Sequence, residues 1–165
     1  MMRTIAIEPL ARAAFAPFGQ VIETAGARHY PINHGMTERY HDLAAIELAG
    51  PAPRPLISIF HGQPYPLPLR LTLVERHPLG SQAFYPLSSR PFLVIVAPDN
   101  AGTPGTPRAF LTGPRQGVNI ARNTWHGVLT PLEAPSDFLV VDRGGEGDNL
   151  EEFIFDQPYL VLPAG

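Results

Sequence analysis

Leu71-Thr72-Leu73-Val74-Glu75-Arg76-His77 alternates apolar and polar positions and then runs into Pro78-Leu79-Gly80-Ser81-Gln82. Successive strand residues point to opposite faces, so Leu71, Leu73, Glu75 and His77 share one face. If the two leucines face a core, they carry a carboxylate and an imidazole inward with them. Such groups cost desolvation free energy unless they pair, bind a metal or do chemistry. A second stretch, Ala121-Arg122-Asn123-Thr124-Trp125-His126, brings another imidazole on a strand expected to continue to Thr130. Alternation with Val128 sets His126 on the inward face, opposite Glu75 and His77.

Outward from these stretches, 20 prolines and 15 glycines cut the chain into short pieces and disfavour long helices. One short helix is expected over Leu10 to Phe15. The remaining apolar runs read as strands: Pro55–Phe60, Arg70–His77, Gln82–Pro86, Pro91–Ala97, Arg108–Thr112, Gly117–Ile120, Trp125–Thr130, Asp137–Asp142, and Phe153–Phe155 followed by Tyr159–Leu162. Short strands with frequent turn signals predict a mainly β fold, an antiparallel barrel or sandwich with minor short helices. The Pro98 to Pro107 stretch reads as a surface hairpin, because strand-like sequence resumes on both sides.

A chain of 165 residues has room for one domain with a sizeable core, here residues 1–165, and too little for two. It has no cysteine, which removes thiolate ligands, cysteine nucleophiles and disulfides. All twelve basic residues are arginine, so Schiff-base chemistry and the phosphate-loop lysine are also excluded. The net charge of −3 and the scattered arginines argue against a nucleic-acid partner. Met1 to Phe18 lacks the apolar core of a signal peptide, and no apolar run approaches membrane-spanning length. The expectation is a cytoplasmic protein with no membrane partner.

Cupin barrels draw metal ligands from His-x-His, a short gap and Glu, and then from Pro-x-Gly-x-x-His. Here Glu75 and His77 take the paired positions, Gln82 falls where the Glu would be, and Ala121, Asn123 and His126 stand for Pro, Gly and His. The spacing resembles the cupin pattern with two imidazoles, one carboxylate and one amide oxygen, a set that suits a divalent ion. The residues leave two readings open: a metal site of Glu75, His77, Gln82 and His126, or a metal-free pocket in which the same positions hold substrate. A polar stretch at Ile32–Leu43 reads either as a solvated loop or as a cover that supplies arginine and histidine to an anionic ligand. Asp142-Arg143-Gly144-Gly145 reads as a charged turn or as a carboxylate clamp through Arg143.

Taken together, Glu38-Arg-Tyr-His-Asp-Leu43, Glu75-Arg-His-Pro-Leu-Gly80 with Gln82-Ala-Phe84, Gln116-Gly-Val-Asn119, Arg122-Asn-x-Trp-His126 and Asp142-Arg-Gly-Gly145 resemble the ureidoglycolate lyases. The resemblance runs in order from the Phe15 region to the Asp142 turn. Those enzymes belong to allantoin breakdown in purine metabolism and release urea and glyoxylate. The resemblance implies a cupin-like barrel, a homodimer, a divalent metal (nickel), no organic cofactor and ureidoglycolate as the small-molecule substrate. Its chemistry needs a base, an acid and a cation for the substrate carboxylate. Glu75, His77 and His126 fit the proton transfers. Arg39 and Arg143 fit the clamp, with Asn33, His41, Trp125 and Asp142 completing the substrate-binding set. Two other readings stay open: a different cupin metalloenzyme, oxygenase or isomerase, and a non-catalytic barrel that binds an organic acid.

Overall fold

Phe92-Leu-Val-Ile-Val-Ala97 is buried at all six positions, because it is a wall between two apolar compartments. Phe92, Val94 and Val96 pack on one side with Phe15, Phe84, Phe110 and Phe138. Leu93, Ile95 and Ala97 pack on the other with Val74, Trp125, Phe155 and Tyr159. A strand covered on both faces needs a continuous apolar run rather than alternation.

The computed structural model describes residues 1–163. In chain order these form β1 (Arg3–Pro9), one helical turn α1 (Arg12–Phe15), β2 (Gly19–Ile22), β3 (His29–Ile32), a 3-10 turn (Asn33–Gly35), β4 (Thr37–Tyr40), β5 (Arg54–Gly62) and β6 (Leu69–Arg76). There follow β7 (Gln82–Pro86), β8 (Phe92–Ala97), β9 (Asp99–Asn100), β10 (Thr103–Pro104), β11 (Arg108–Leu111), β12 (Gly117–Ile120), β13 (Trp125–His126), β14 (Thr130–Pro131), β15 (Ser136–Gly144) and β16 (Glu151–Leu162). One sheet runs β11-β1-β16-β6-β13-β8-β14, and β8 also pairs with β11, so six of its strands close into a barrel. The second sheet, β2-β12-β7-β15-β5, lies across the β8–β11 wall. The chain is therefore mainly β and cupin-like, as expected. Among the described residues no helix is long and apolar enough to cross a membrane.

The details depart from the sequence reading in four places. The first expected strand lies at Pro55, whereas four precede it, and β1 pairs in parallel with both β11 and β16 rather than antiparallel. The expected Trp125–Thr130 strand breaks after His126, and Val128 turns outward at 45% exposure instead of sharing the inward face. Phe153–Phe155 and Tyr159–Leu162 belong to one strand whose register with β6 shifts between Ile154 and Tyr159. Pro158, which lacks an N–H for the ladder, lies within that irregularity. Above the shift, Leu71 lies in the barrel interior rather than on the Glu75 side. Pro98–Pro107 is the expected hairpin, built from β9 and β10.

Phe110 is fully buried, with its ring edge-on to Phe15 at 5.6 Å, where barrel and second sheet meet. Phe110→Ala removes the aromatic contact and leaves a cavity, a change that costs roughly 3–5 kcal/mol. Urea unfolding should show a lower midpoint at an unchanged slope. A midpoint equal to that of the parent protein would show that the two compartments do not depend on this contact.

Candidate active site

Glu75 and His126 face each other in register across the β6–β13 pair, and His126 pairs with Val96 on the other side. Residues in register share a face, so both project with Val96 toward the second sheet. His77 follows the end of β6 and joins them. The carboxylate and imidazole donor atoms of Glu75, His77 and His126 lie within 4.8 Å of one another. The two imidazole rings stand 5.1 Å apart at 45°. His77 Nε2 is 4.0 Å from Glu75 Oε1, which is beyond hydrogen-bonding distance. His126 therefore stands opposite Glu75 on adjacent strands of one sheet, with His77 just past the end of β6.

The backbone fixes which ring nitrogen of each histidine is free. His77 Nδ1 donates to the Asn149 carbonyl and His126 Nδ1 to the Gly127 carbonyl, each at 2.8 Å. A carbonyl only accepts, so each Nδ1 carries the proton and each Nε2 presents a lone pair. Both Nε2 atoms are buried and have no partner among the described residues. Gln82 shares the inward face of β7 with Phe84. Its amide nitrogen donates to Asp142 Oδ2 at 3.2 Å, which leaves Oε1 buried and unpartnered as well. The two orphaned Nε2 lone pairs beside the Glu75 carboxylate carry a desolvation cost that a cation or a substrate proton would relieve. Two imidazoles and a carboxylate suit a divalent ion, and the carbonyls behind the imidazoles orient them as ligands require.

The ionisation states follow from burial. Burial raises the Glu75 pKa above the usual carboxylate range; His77 pulls it back, and Glu152 pushes it further up. Burial drives the His126 pKa down to about 4, against an upward pull from the Gly127 carbonyl and with a further downward push from His77. The site thus holds a neutral imidazole beside a carboxyl of raised proton affinity, the kind of divergence that separates acid and base roles.

A family model described as ureidoglycolate lyase matches residues 2–162. The chain belongs to the ureidoglycolate lyase family. Among curated relatives, a ureidoglycolate lyase from Chelativorans sp. (strain BNC1) is 65% identical over 97% of both chains. One from Mesorhizobium japonicum (strain LMG 29417 / CECT 9101 / MAFF 303099) is 63% identical over 97% of this chain and 98% of its own. Ureidoglycolate lyase 2 of Rhizobium meliloti (strain 1021) is 59% identical with the same coverage. The match extends beyond the Phe15–Asp142 span of the sequence resemblance at both ends.

Several residues that the family resemblance assigned to substrate lie elsewhere. Trp125 points into the barrel, away from the triad. Its Nε1 donates to Asp99 Oδ1 at 2.9 Å, and the Arg76 guanidinium lies 4.2 Å from its ring centre. These contacts anchor the indole in the barrel. Arg143 is buried, and its guanidinium donates to the carbonyls of Ala49 at 2.6 Å, Pro51 at 3.0 Å and Glu146 at 2.8 Å. These bonds fasten the loop over 47–51 instead of leaving a free carboxylate clamp. A Cβ on Gly80 would sit 2.6 Å from Arg143 Cβ, so the glycine in this ureidoglycolate lyase stretch lets the arginine pass.

Asp142 is engaged by the Gln82 amide nitrogen. Asn33 and Arg39 lie on the exposed β3–β4 hairpin, and His41 lies at its base beside Tyr30. Two contributors escaped the sequence reading. Asn149 supplies the carbonyl behind His77, and its side chain accepts from the Leu79 N–H. Glu47 accepts from the Arg122 N–H on the turn beside the site. Neither belongs to a spacing pattern, and nothing local in the sequence marks them.

His126 sets a pH dependence. Its folded pKa of about 4 lies below its ordinary value of 6.5, so across that window the unfolded chain takes up a proton that the folded chain refuses. Stability of the chelator-treated protein should fall as pH drops through this window, at roughly 1.4 kcal/mol per unit of pKa difference. His126→Gln should flatten the dependence in urea titrations run at a series of pH values. An equally steep loss in that variant would place the responsible group elsewhere.

Proposed function

We propose that the protein cleaves ureidoglycolate to glyoxylate and urea, a step of allantoin breakdown. The observation that carries the reading is the set of orphaned Nε2 lone pairs of His77 and His126 beside Glu75, in a chain of this family. Ureidoglycolate bears hydroxyl, carboxylate and ureido nitrogen on one carbon. As the hydroxyl loses its proton, the C–O bond becomes a carbonyl and the C–N bond breaks. The departing nitrogen then gains a proton. No water is consumed, and no covalent nucleophile is needed.

Glu75 is suited to move that proton, because its raised affinity lets it take a proton from the hydroxyl and return it to the nitrogen. His77 and His126 present their Nε2 lone pairs beside the Glu75 carboxylate, where a cation between them would fix the carbinol oxygen. A divalent ion, nickel by the family resemblance, would be held by His77 and His126 with Gln82, would supply a Lewis acid at the carbinol oxygen, and would leave Glu75 free to carry the proton. Asp142 keeps the Gln82 oxygen turned to the site. Arg39 takes the substrate carboxylate, as its charge and planar fork suit that group.

Purified protein incubated with racemic ureidoglycolate should release urea and glyoxylate in equal amounts without ammonia. Ammonia release would identify an amidohydrolase and overturn the reading. Folded His126→Ala and Glu75→Ala should each lose on the order of 10²- to 10⁴-fold in turnover. Near-normal turnover in both would remove this face from the chemistry. Chelation should lower activity, and readdition of nickel should restore it; activity indifferent to chelation would leave the pocket but not the metal.

A further inference from the structure

An anionic substrate needs a cation, and one chain offers few at this site. Arg76, between Glu75 and His77, turns to the opposite face and is held by Glu151 at 2.7 Å and Asp99 at 3.0 Å. Arg143 is committed to loop carbonyls. The rim is acidic: Glu152 lies in register beside Glu75, and Glu146 and Asp148 precede it in the sequence on the stretch that reaches His77 through the Asn149 carbonyl. Of this chain's own arginines, Arg122 stands exposed on the turn that follows β12.

Arg39 belongs to an arm that leads away from its own site. Among the described residues β3 and β4 pair only with each other, and every residue from Asn33 to Tyr40 is exposed. The arm is ordered internally: His29 meets Glu38 at 2.6 Å and stacks on Tyr40. Its base, where the His41 N–H bonds the Arg28 carbonyl, follows Glu23, which binds Gln116 at the Gly117 end of β12. The site lies off the other end of β12, where Asn123 N–H bonds the His77 carbonyl. Four residues of strand separate these ends by about 10 Å. An isolated two-stranded hairpin is marginal in water and gains from a surface to lie on. Beside the triad, Ile154 (73%) and Val128 (45%) are exposed apolar residues next to the acidic rim.

We propose that the arm lies on the site rim of a second copy of this chain and brings Arg39 to that copy's substrate carboxylate. Two-fold symmetry then gives a dimer with two shared sites. The proposal rests on the ureidoglycolate lyase reading. Charge complementarity carries it: an acidic, partly apolar rim without a committed cation, and an arm on which Glu38 is engaged by His29 while Arg39 stands exposed.

The test combines two variants on separate, differently tagged chains. Arg39→Ala should lose roughly 10- to 100-fold in activity for a lost charged hydrogen bond, and His126→Ala should lose at least as much. Coexpressed, they should form mixed dimers in which one site has both an intact triad and an intact arm. Random pairing gives about a quarter of wild-type activity, and an arm that serves its own site gives no recovery. Because the chain has no cysteine, Arg39→Cys on one chain and Glu152→Cys on the other provide a unique thiol pair. A short bifunctional thiol reagent should join only the mixed sample into a covalent dimer.

No recovery from two folded variants, a monomer in solution, or full activity of Arg39→Ala with loss in Arg122→Ala would each overturn the proposal. If the wild-type protein does not cleave ureidoglycolate, the lyase reading fails, while the cross-link still decides the arm's position.

Discussion

Two residues close the barrel. β13 consists of Trp125 and His126 alone, yet it is the strand that joins β6 to β8 and so completes the ring. Neighbouring strand residues point to opposite faces, so the dipeptide has to serve both compartments. Trp125 fills the barrel and is pinned by Asp99 and Arg76. His126 lies on the outer face of that wall, between Glu75 and Val96. A shift of one residue would exchange the two side chains, placing an imidazole in the apolar barrel and removing it from the site. Packing of the tryptophan thus enforces the register of the histidine.

That coupling shows how a site with unpaired lone pairs can persist. Buried His77 and His126 nitrogens and the Gln82 oxygen have no partner among the described residues, an arrangement that local packing would not select by itself. The alternatives are blocked one by one. Each imidazole is tied through Nδ1 to a carbonyl and cannot flip without losing that bond, and the Gln82 amide is held by Asp142. Strain of this kind is sustained by the surrounding structure, here two apolar cores on either side of one wall. The cost falls at the place where a ligand would remove it.

Strand alternation was enough to bring out Glu75, His77 and His126, because a period of two specifies which residues share a face. It could not say what that face looks at. The triad turned out to sit on one sheet, with Gln82 coming from the other, since closure of six strands moved Leu71 and Trp125 into a separate interior. β1 to β4 were missed for a different reason. Their apolar positions are few, and the exposed β3–β4 arm has no buried face to produce a pattern. The carbonyl partners of Arg143 were not legible in the sequence, because backbone oxygens leave no trace in side-chain spacing.

The arginines show where sequence reasoning reaches its limit. A guanidinium is equally suited to a substrate carboxylate and to a fan of carbonyl oxygens, and only the third dimension distinguishes them. Arg76 and Arg143 sit within motif stretches closest to the site, and both are spent on structure: one stacks on Trp125, the other fastens the loop over 47–51. That loop carries Glu47, which pairs with Ser81 and caps the turn leading to Asn123 and His77. Holding it still keeps the backbone behind His77 in place. The same commitment takes up two of the arginines nearest the site and leaves Arg122, exposed on the adjoining turn, and Arg39 of the arm as the guanidinium groups to be told apart by experiment.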